Sequence, residues 1–464
     1  MTSQLFNPAT WAAWLDLPQM TWLEWLVTVG KFALVFIPLA FIVVMITTER
    51  KGASLMQDRM GPNRSAIPIF GGIRIFGFVH NFSDGIKLFT KESFIPAQAH
   101  KVAYVLAPAI GFMIAFLTPS IIPWFAPLTW WTGSTVAHVS GLILNSDNGI
   151  LLMFALSSLG VYGTVMSSWA SNSKYALLGG MRAGALMISY EVSMGLSLMG
   201  MFLLAGSFNL QDIVAWQETH VWGIIAQPIA LLVFLTSMIA ETGRAPFDVA
   251  EGESEIVAGY HLEYSAMRFG LFYMGEYAHI TIASLVIATL FLGGYSIPFV
   301  STDLLRAHVG VALGLALLAF ALMLGVFLFM VTRWKKVHAG FHAKDSKDRA
   351  LEYTVMQILA AAGVLGLLVA AIASFALLHP APATVVDGVS IYPAWVSLAA
   401  AAVQLVVLIA KAFIFCWIWV WVRWTLPRFR YDQVMGLCWK ILLNVALLNL
   451  LVTAVVAKLL TGVR

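Results

Sequence analysis

The sequence predicts an all-α polytopic membrane protein of about ten transmembrane helices, a single integral membrane domain over 1–464 with one amphipathic helix on its surface. Three observations carry that prediction. Of the 464 residues, 60% are hydrophobic and only 11% are charged. The mean hydropathy of +0.85 exceeds what a soluble core needs, and apolar runs long enough to cross a bilayer recur along the whole chain. In lipid every backbone polar group must be satisfied within its own segment, so the runs are helices.

The runs fall at about 22–47, 102–124, 149–169, 183–206, 222–240, 277–298, 309–332, 354–378, 396–422 and 441–460. Ahead of the first, MTSQLFNPATWAAWLDLPQMTW lacks the basic flank of a signal peptide and reads as a Trp-rich interfacial lead-in. The first run exits through Glu49, Arg50 and Lys51 into TTERKGASLMQDRMGPNR. A positively charged helix exit is sufficient for Lys51. Arg50 and Arg59 are of more interest, because fixed guanidinium groups beside carboxylates hold acids ionised or orient a polar head group. Within the cytoplasmic loop 49–101, NFSDGIKLFTKESFIP alternates apolar and charged residues as an amphipathic surface helix does, and it contributes Asp84, Lys87, Lys91 and Glu92.

Lys and Arg crowd 49–101, 333–353 and 423–440 and are absent from 125–148, 207–221 and 379–395. The basic segments are therefore cytoplasmic, and ten spans return both termini to the opposite side. Cys416 and Cys438 sit in or beside apolar helices, too few for a disulfide framework or a metal site, and read as packing residues.

The segment 241–276 breaks this charge pattern. It sets Glu241, Asp248, Glu251, Glu253, Glu255, Glu263 and Glu276 against only Arg244 and Arg268. A solvated loop is the ordinary explanation of such acids. Here they alternate with Phe247, Val249, Ile256, Tyr260, Tyr264 and Phe272, so the segment should pack at the membrane surface with some carboxylates buried. Glu251 and Glu255 are expected one helical turn apart with Glu253 close by, coupling their titrations and raising at least one pKa. Such a cluster takes up and releases protons near neutral pH.

Two ionisable residues lie well inside predicted spans, Glu191 in MISYEVSMGL and Lys411 in VVLIAKAFIF. A lone charge in hydrocarbon costs at least a few kcal/mol, so each should face protein or water, either as a functional group or in a structural ion pair. The chain contains no nucleophile elbow, Walker loop, dinucleotide fingerprint or CxxC pair, so no flavin, NADH, ATP or iron–sulfur cluster is expected on it.

Five runs resemble one family in order and over nearly the whole chain: ERKGASLMQDRMGPNR, SDGIKLFTKESFIP, SSWASNSKYALLGGMRAGALMISYEVSMGLSL, AETGRAPFDVAEGESEIVAGYHLEYSAMRFGLFYMGEYAHI and WVRWTLPRFRYDQVMGLCWK. They are similar to the H-type membrane component of respiratory complex I, the proton-translocating NADH:quinone oxidoreductase. The resemblance implies a multi-pass subunit of the bacterial inner membrane with both termini periplasmic, inactive alone. It implies quinone as substrate, with flavin and iron–sulfur clusters in partner subunits. The partners implied are small membrane subunits of the A, J and K type, quinone-site subunits of the B and D type and an iron–sulfur subunit of the I type, with membrane lipid around them. By the same resemblance Arg50, Arg59 and Asp84 match the quinone entrance, and Arg244, Phe247, Tyr260 and Arg268 belong to the chamber. Glu191, Glu241, Asp248, Glu251, Glu253, Glu255, Glu263 and Glu276 match the acidic funnel that couples quinone reduction to proton movement, with Lys411 as a further proton-coupling candidate.

The family usually has about eight spans, which marks 300–395 as an inserted transmembrane hairpin around RWKKVHAGFHAKDSKDR. That hairpin either faces lipid or contacts an accessory subunit or anionic lipid. The nearest alternative function is the equivalent subunit of an energy-converting hydrogenase or formate hydrogenlyase. A free-standing transporter should show internal repeats or paired helix breaks, and neither is visible.

Overall fold

A computed structural model describes residues 22–59, 61–62, 65, 77–131, 136–341, 346–378, 384–386 and 389–461. The N-terminal lead-in and the tip of the predicted basic loop lie outside the described residues.

The first span is two helices, α1 (Trp22–Leu34) and α2 (Ile37–Met56), interrupted before Pro38, which lies in the first turn of α2. The amphipathic helix α3 (Val79–Thr90) follows, then α4 (Lys101–Leu117) and a two-stranded hairpin, β1 (Leu128–Trp131) with β2 (Val136–Val139). Helices α5 (Gly149–Ala170) and α6 (Lys174–Ala205) cross next, then the short α7 (Leu210–Thr219) and α8 (Gly223–Ala226). After α9 (Pro228–Glu241), the acidic segment folds around the single turn α10 (Glu253–Ile256) before α11 (Ala266–Phe291). The rest comprises α12 (Thr302–Ala307), the antiparallel pair α13 (Val309–Phe341) and α14 (Ser346–Leu377), and strands β3 (Thr384–Val386) and β4 (Val389–Ile391). Helix α15 (Ala394–Thr425) comes next, and α16 (Tyr431–Gly436) continues through a π-helical turn into α17 (Leu443–Thr461).

Among the described residues nine helices are long and apolar enough to cross a membrane, against the ten expected spans. The expected span 222–240 is the exception. The backbone leaves helical geometry at Gln227 (φ −140°, ψ 59°), dividing α8 from α9. The remaining 14 residues of α9 reach only about 21 Å, short of a bilayer core of about 30 Å. The break is satisfied internally, as intramembrane breaks must be: the Gln227 side chain accepts from Asn449 at 2.7 Å and donates to Thr453 at 2.8 Å, both on α17.

Helix α11 is the axis of the bundle. Of its most apolar stretch 83% is buried, against 11% in α13 and 17% in α14. It packs on α2, α4 and α15. Lipid gives apolar side chains no reason to leave it, so close approach depends on small residues and interhelical hydrogen bonds. Helix α11 supplies Gly275, Ala278, Ala283 and Ser284, and Ser284 accepts from Trp419 at 3.1 Å and from Cys416 at 3.3 Å on α15. The α13–α14 pair meets the rest mainly through α15 and turns long apolar faces outward.

Candidate functional site

The acidic segment folds back into the end of the bundle where α2, α9 and α15 finish and α11 begins. Its path depends on two glycines. Gly259 has φ +59°, and a Cβ there would lie 1.8 Å from the Ala250 carbonyl oxygen; a Cβ on Gly179 of α6 would lie 2.5 Å from Gly259 itself. Only bare backbone fits at this crossing, and it sets the neighbouring Tyr260 among the carboxylates.

The Tyr260 hydroxyl, buried, lies 3.2 Å from both the Glu251 and the Glu276 carboxylates. Arg244 meets Glu276 at 2.9 Å and Glu49 of α2 at 3.9 Å, and its guanidinium stands 4.5 Å over the Tyr277 ring and 5.4 Å from that of Tyr273. Glu49 is also ion-paired with Arg423 of α15, and Asp248 with Arg428 at 2.9 Å. His261 lies 3.6 Å from Glu251. Adjacent serines of α5 hold two further carboxylates: Glu241 of α9 accepts from Ser157, and Glu191 of α6 from Ser158.

Burial and neighbours set the charge states of the loop groups. Desolvation pushes the Asp248 carboxyl up to about 6, with Arg428 opposing it. Desolvation raises Glu251 as well, reinforced by the adjacent Glu276. Burial opposes the charge on Arg244, but Glu276, Tyr277 and Glu49 outweigh it and hold the guanidinium ionised. One fixed cation thus stands beside an array in which Asp248 and Glu251 hold their protons more tightly than ordinary carboxylates.

Two cavities flank this array. A smaller one of about 120 Å³ is lined by Glu241, Glu251, Tyr260, Glu276 and His279 within an otherwise mostly apolar wall. An open chamber of about 770 Å³ lies between α2, α3 and α11, within the size range of small-molecule sites. Its polar rim carries Arg50 paired with Asp84 at 2.6 Å, and its apolar wall includes Leu88, Phe269 and Tyr273. The Tyr273 hydroxyl lies 3.2 Å from that of Tyr277. Contacts through Tyr273, Tyr277 and Arg244 thus run from the chamber wall to Glu276 on the wall of the acid-lined cavity.

The candidates named from the sequence divide accordingly. Arg244, Tyr260, Glu251 and Glu276 form one contiguous array, with Asp248 beside it, and Arg50 and Asp84 share the open chamber. Glu251 and Glu255, expected one helical turn apart, are not: Gly252 caps α10, so Glu251 precedes the helix and turns inward, while Glu255 is exposed and pairs with Arg182 at 2.6 Å. Glu253 opens α10, and its side chain lies outside the described residues. Phe247 packs between Phe429, on which it stacks, and the tilted ring of Tyr190. Arg268 stands 5.7 Å from the Tyr104 ring, and the Glu263 carbonyl accepts from the Tyr104 hydroxyl at 2.6 Å. Arg59 is exposed and donates to Gln57 at 2.7 Å. Lys411 does not join the acids: its ammonium donates to the carbonyls of Leu292, Gly294 and Ser296 at 2.6, 2.9 and 2.5 Å.

Sequence reasoning does not single out Glu49, Arg423, Arg428, Tyr273, Tyr277 or His279 as site residues. Seven acids against two local arginines is the signal for Arg423 and Arg428, since buried carboxylates need distant cations. Among the described residues no group of three or more His, Cys, Asp or Glu is arranged to hold a metal ion.

The family model described as NADH dehydrogenase matches residues 30–340 and 349–454. The chain belongs to this family. Among its relatives, the first of the H-type NADH-quinone oxidoreductase subunits of Cytophaga hutchinsonii is 32% identical over 417 residues, 89% of this chain and 92% of its own. NADH-quinone oxidoreductase subunit 8 of Rhodothermus marinus is 35% identical over 415 residues, 89% and 91% of the two chains. The first of the H-type subunits of Geobacter metallireducens reaches 46% over 271 residues, 58% and 78% respectively. The expected family is thereby shown, and the nine long apolar helices among the described residues make the chain a multi-pass membrane protein.

Proposed function

We propose that this chain is the membrane subunit of a proton-translocating NADH:quinone oxidoreductase in which it lines the quinone chamber and relays charge into the membrane. The observation that carries this reading is the juxtaposition of the open chamber and the acid-lined cavity across Tyr273, Tyr277 and Arg244. A quinone is a flat ring bearing polar carbonyl oxygens and a long apolar tail, and an apolar pocket rimmed by Arg50 and Asp84 suits it. Electrons come from clusters in partner subunits, so the redox chemistry is theirs and the cavity and its charges are local.

Reduction of quinone consumes protons and leaves a change of charge at the chamber. Tyr277, Arg244 and Glu276 are in contact in turn, so that change alters the field at Glu276 and, through Tyr260, at Glu251. A shared proton then redistributes within the coupled carboxylates. Glu241 and Glu191, each held by a serine hydroxyl, continue the acids into the bundle. The cytoplasmic assignment of the basic segments, both termini on the periplasmic side of a bacterial inner membrane, and a lipid-facing α13–α14 pair complete the proposal, supported by the charge distribution along the chain and the outward apolar faces of that pair.

The test is the assembled complex carrying Glu276→Gln, normalised by NADH oxidation with an artificial acceptor. Loss of quinone reduction and vesicle acidification together supports the proposal. Wild-type rates of both would refute it, and a nickel–iron centre in the native assembly would mark the hydrogenase instead.

A further inference from the structure

Helix α11 carries a histidine for which the acid array leaves a place. His279 lies three residues beyond Glu276, on the same face and about 4.5 Å deeper along the helix. Its ring reaches across to hydrogen-bond the backbone of Gly111 on α4. It lines the acid-lined cavity together with Glu276 and Glu241, the only imidazole among the described residues of that lining. The other titratable groups lining the cavity are Glu251 and Tyr260 from the loop. The α4 and α5 walls add no charge: α4 contributes Pro108, Gly111 and Phe112, and α5 hydroxyls such as Ser157 and Thr164.

The array is continuous in hydrogen bonds from Glu251 through Tyr260 to Glu276, and again from Glu241 to Ser157. Between Glu276 and Glu241 no protein hydrogen bond intervenes among the described residues, and the wall is largely Met, Phe and aliphatic. A cavity of about 120 Å³ has room for a few water molecules given polar partners, which the carboxylates and the imidazole provide. Imidazole takes up and releases a proton, the requirement of a relay between two acids.

We infer that His279 is a proton-relaying residue linking Glu276 to Glu241 through the acid-lined cavity. The inference rests on the proposed proton route. The nitrogen not engaged with Gly111 takes a proton from water beside Glu276 and gives it back through cavity water on the Glu241 side, so charge and atoms balance at every transfer and no oxidant is involved.

The test uses the assembled complex in sealed vesicles. His279→Asn keeps a polar group of similar reach but cannot take up and release a proton. Quinone-linked proton translocation should fall at least about tenfold, short of the loss at a group touching reacting atoms because cavity water offers a slower route. The solvent deuterium isotope effect on turnover should rise, which a merely structural role would not produce, and His279→Glu should restore part of the rate. His279→Gln is the second variant should the first fail to assemble. Wild-type proton translocation and isotope effect in an assembled Asn or Gln variant would overturn the inference. Wild-type enzyme that reduces quinone without moving protons would overturn the underlying proton route instead, which separates the two failures.

Discussion

Arg244 lies 2.9 Å from Glu276, with both side chains largely withdrawn from solvent. A buried pair of this kind is weak proof of stability, but removing one partner strands the other's charge. Arg244→Met is expected to destabilise the folded protein by about 3–5 kcal/mol, because the buried Glu276 loses its cation, while Glu49 keeps Arg423. Assembled complex in detergent extracts should drop sharply, while Glu276→Gln, which leaves Arg244 its contact with Glu49, assembles far better. Equal assembly of the two variants would contradict the assignment.

The Tyr260 hydroxyl shared between Glu251 and Glu276 makes a second prediction. Tyr260→Phe keeps the buried ring and removes only the oxygen, at a cost of about 1–3 kcal/mol for the donor lost to buried carboxylates. Quinone-linked turnover should fall several-fold with NADH oxidation by an artificial acceptor unchanged. Steady-state assays on membranes decide it.

Asp248 gives a pH dependence whose sign is fixed. Its carboxyl holds a proton up to about pH 6 in the folded chain and only to about 4 when unfolded. Between those values folding takes up a proton, so the stability contribution is full below about 4 and is lost as pH rises through 6, on the order of 2–3 kcal/mol. The thermal midpoint of the complex should fall less from pH 5 to pH 7 in Asp248→Asn than in wild type. Identical slopes would remove Asp248 from the titrating groups.

The acids of the loop should not be equivalent. Glu255 is exposed and its bridge to Arg182 contributes under about 1 kcal/mol, so Glu255→Gln should leave turnover within about twofold of wild type. Glu251→Gln, at the shared hydroxyl of Tyr260, should impair it far more. A ranking in the reverse order, measured on enzyme normalised for assembly, would refute the geometry.

The long helices are legible in the sequence because lipid permits little else: an apolar run such as that of α11 has one way to satisfy its backbone. The break at Gln227 is not, since its partners Asn449 and Thr453 lie more than 200 residues away and nothing local announces them. For the site, composition makes 241–276 stand out. It does not separate Glu251 from Glu255, because Gly252 and the positive φ of Val257 and Gly259 turn the backbone where a regular helix is expected. Glu49 reads as an ordinary helix exit until Arg423 and Arg244 close on it from distant helices. Lys411 is costly in lipid, as its place in an apolar run implies, yet its partners are backbone carbonyls, which carry no sequence signature.

Those carbonyls follow the last turn of α11, so the helix that carries Glu276 and His279 is anchored at the end remote from the chamber. A rod fastened there can pivot or twist but cannot slide along its axis without breaking three charged hydrogen bonds in a low-dielectric setting. Whatever happens beside Tyr273 therefore travels along α11 as altered charge or a small swing about that hinge, while the far surface of the bundle keeps its shape for whatever neighbour rests on it.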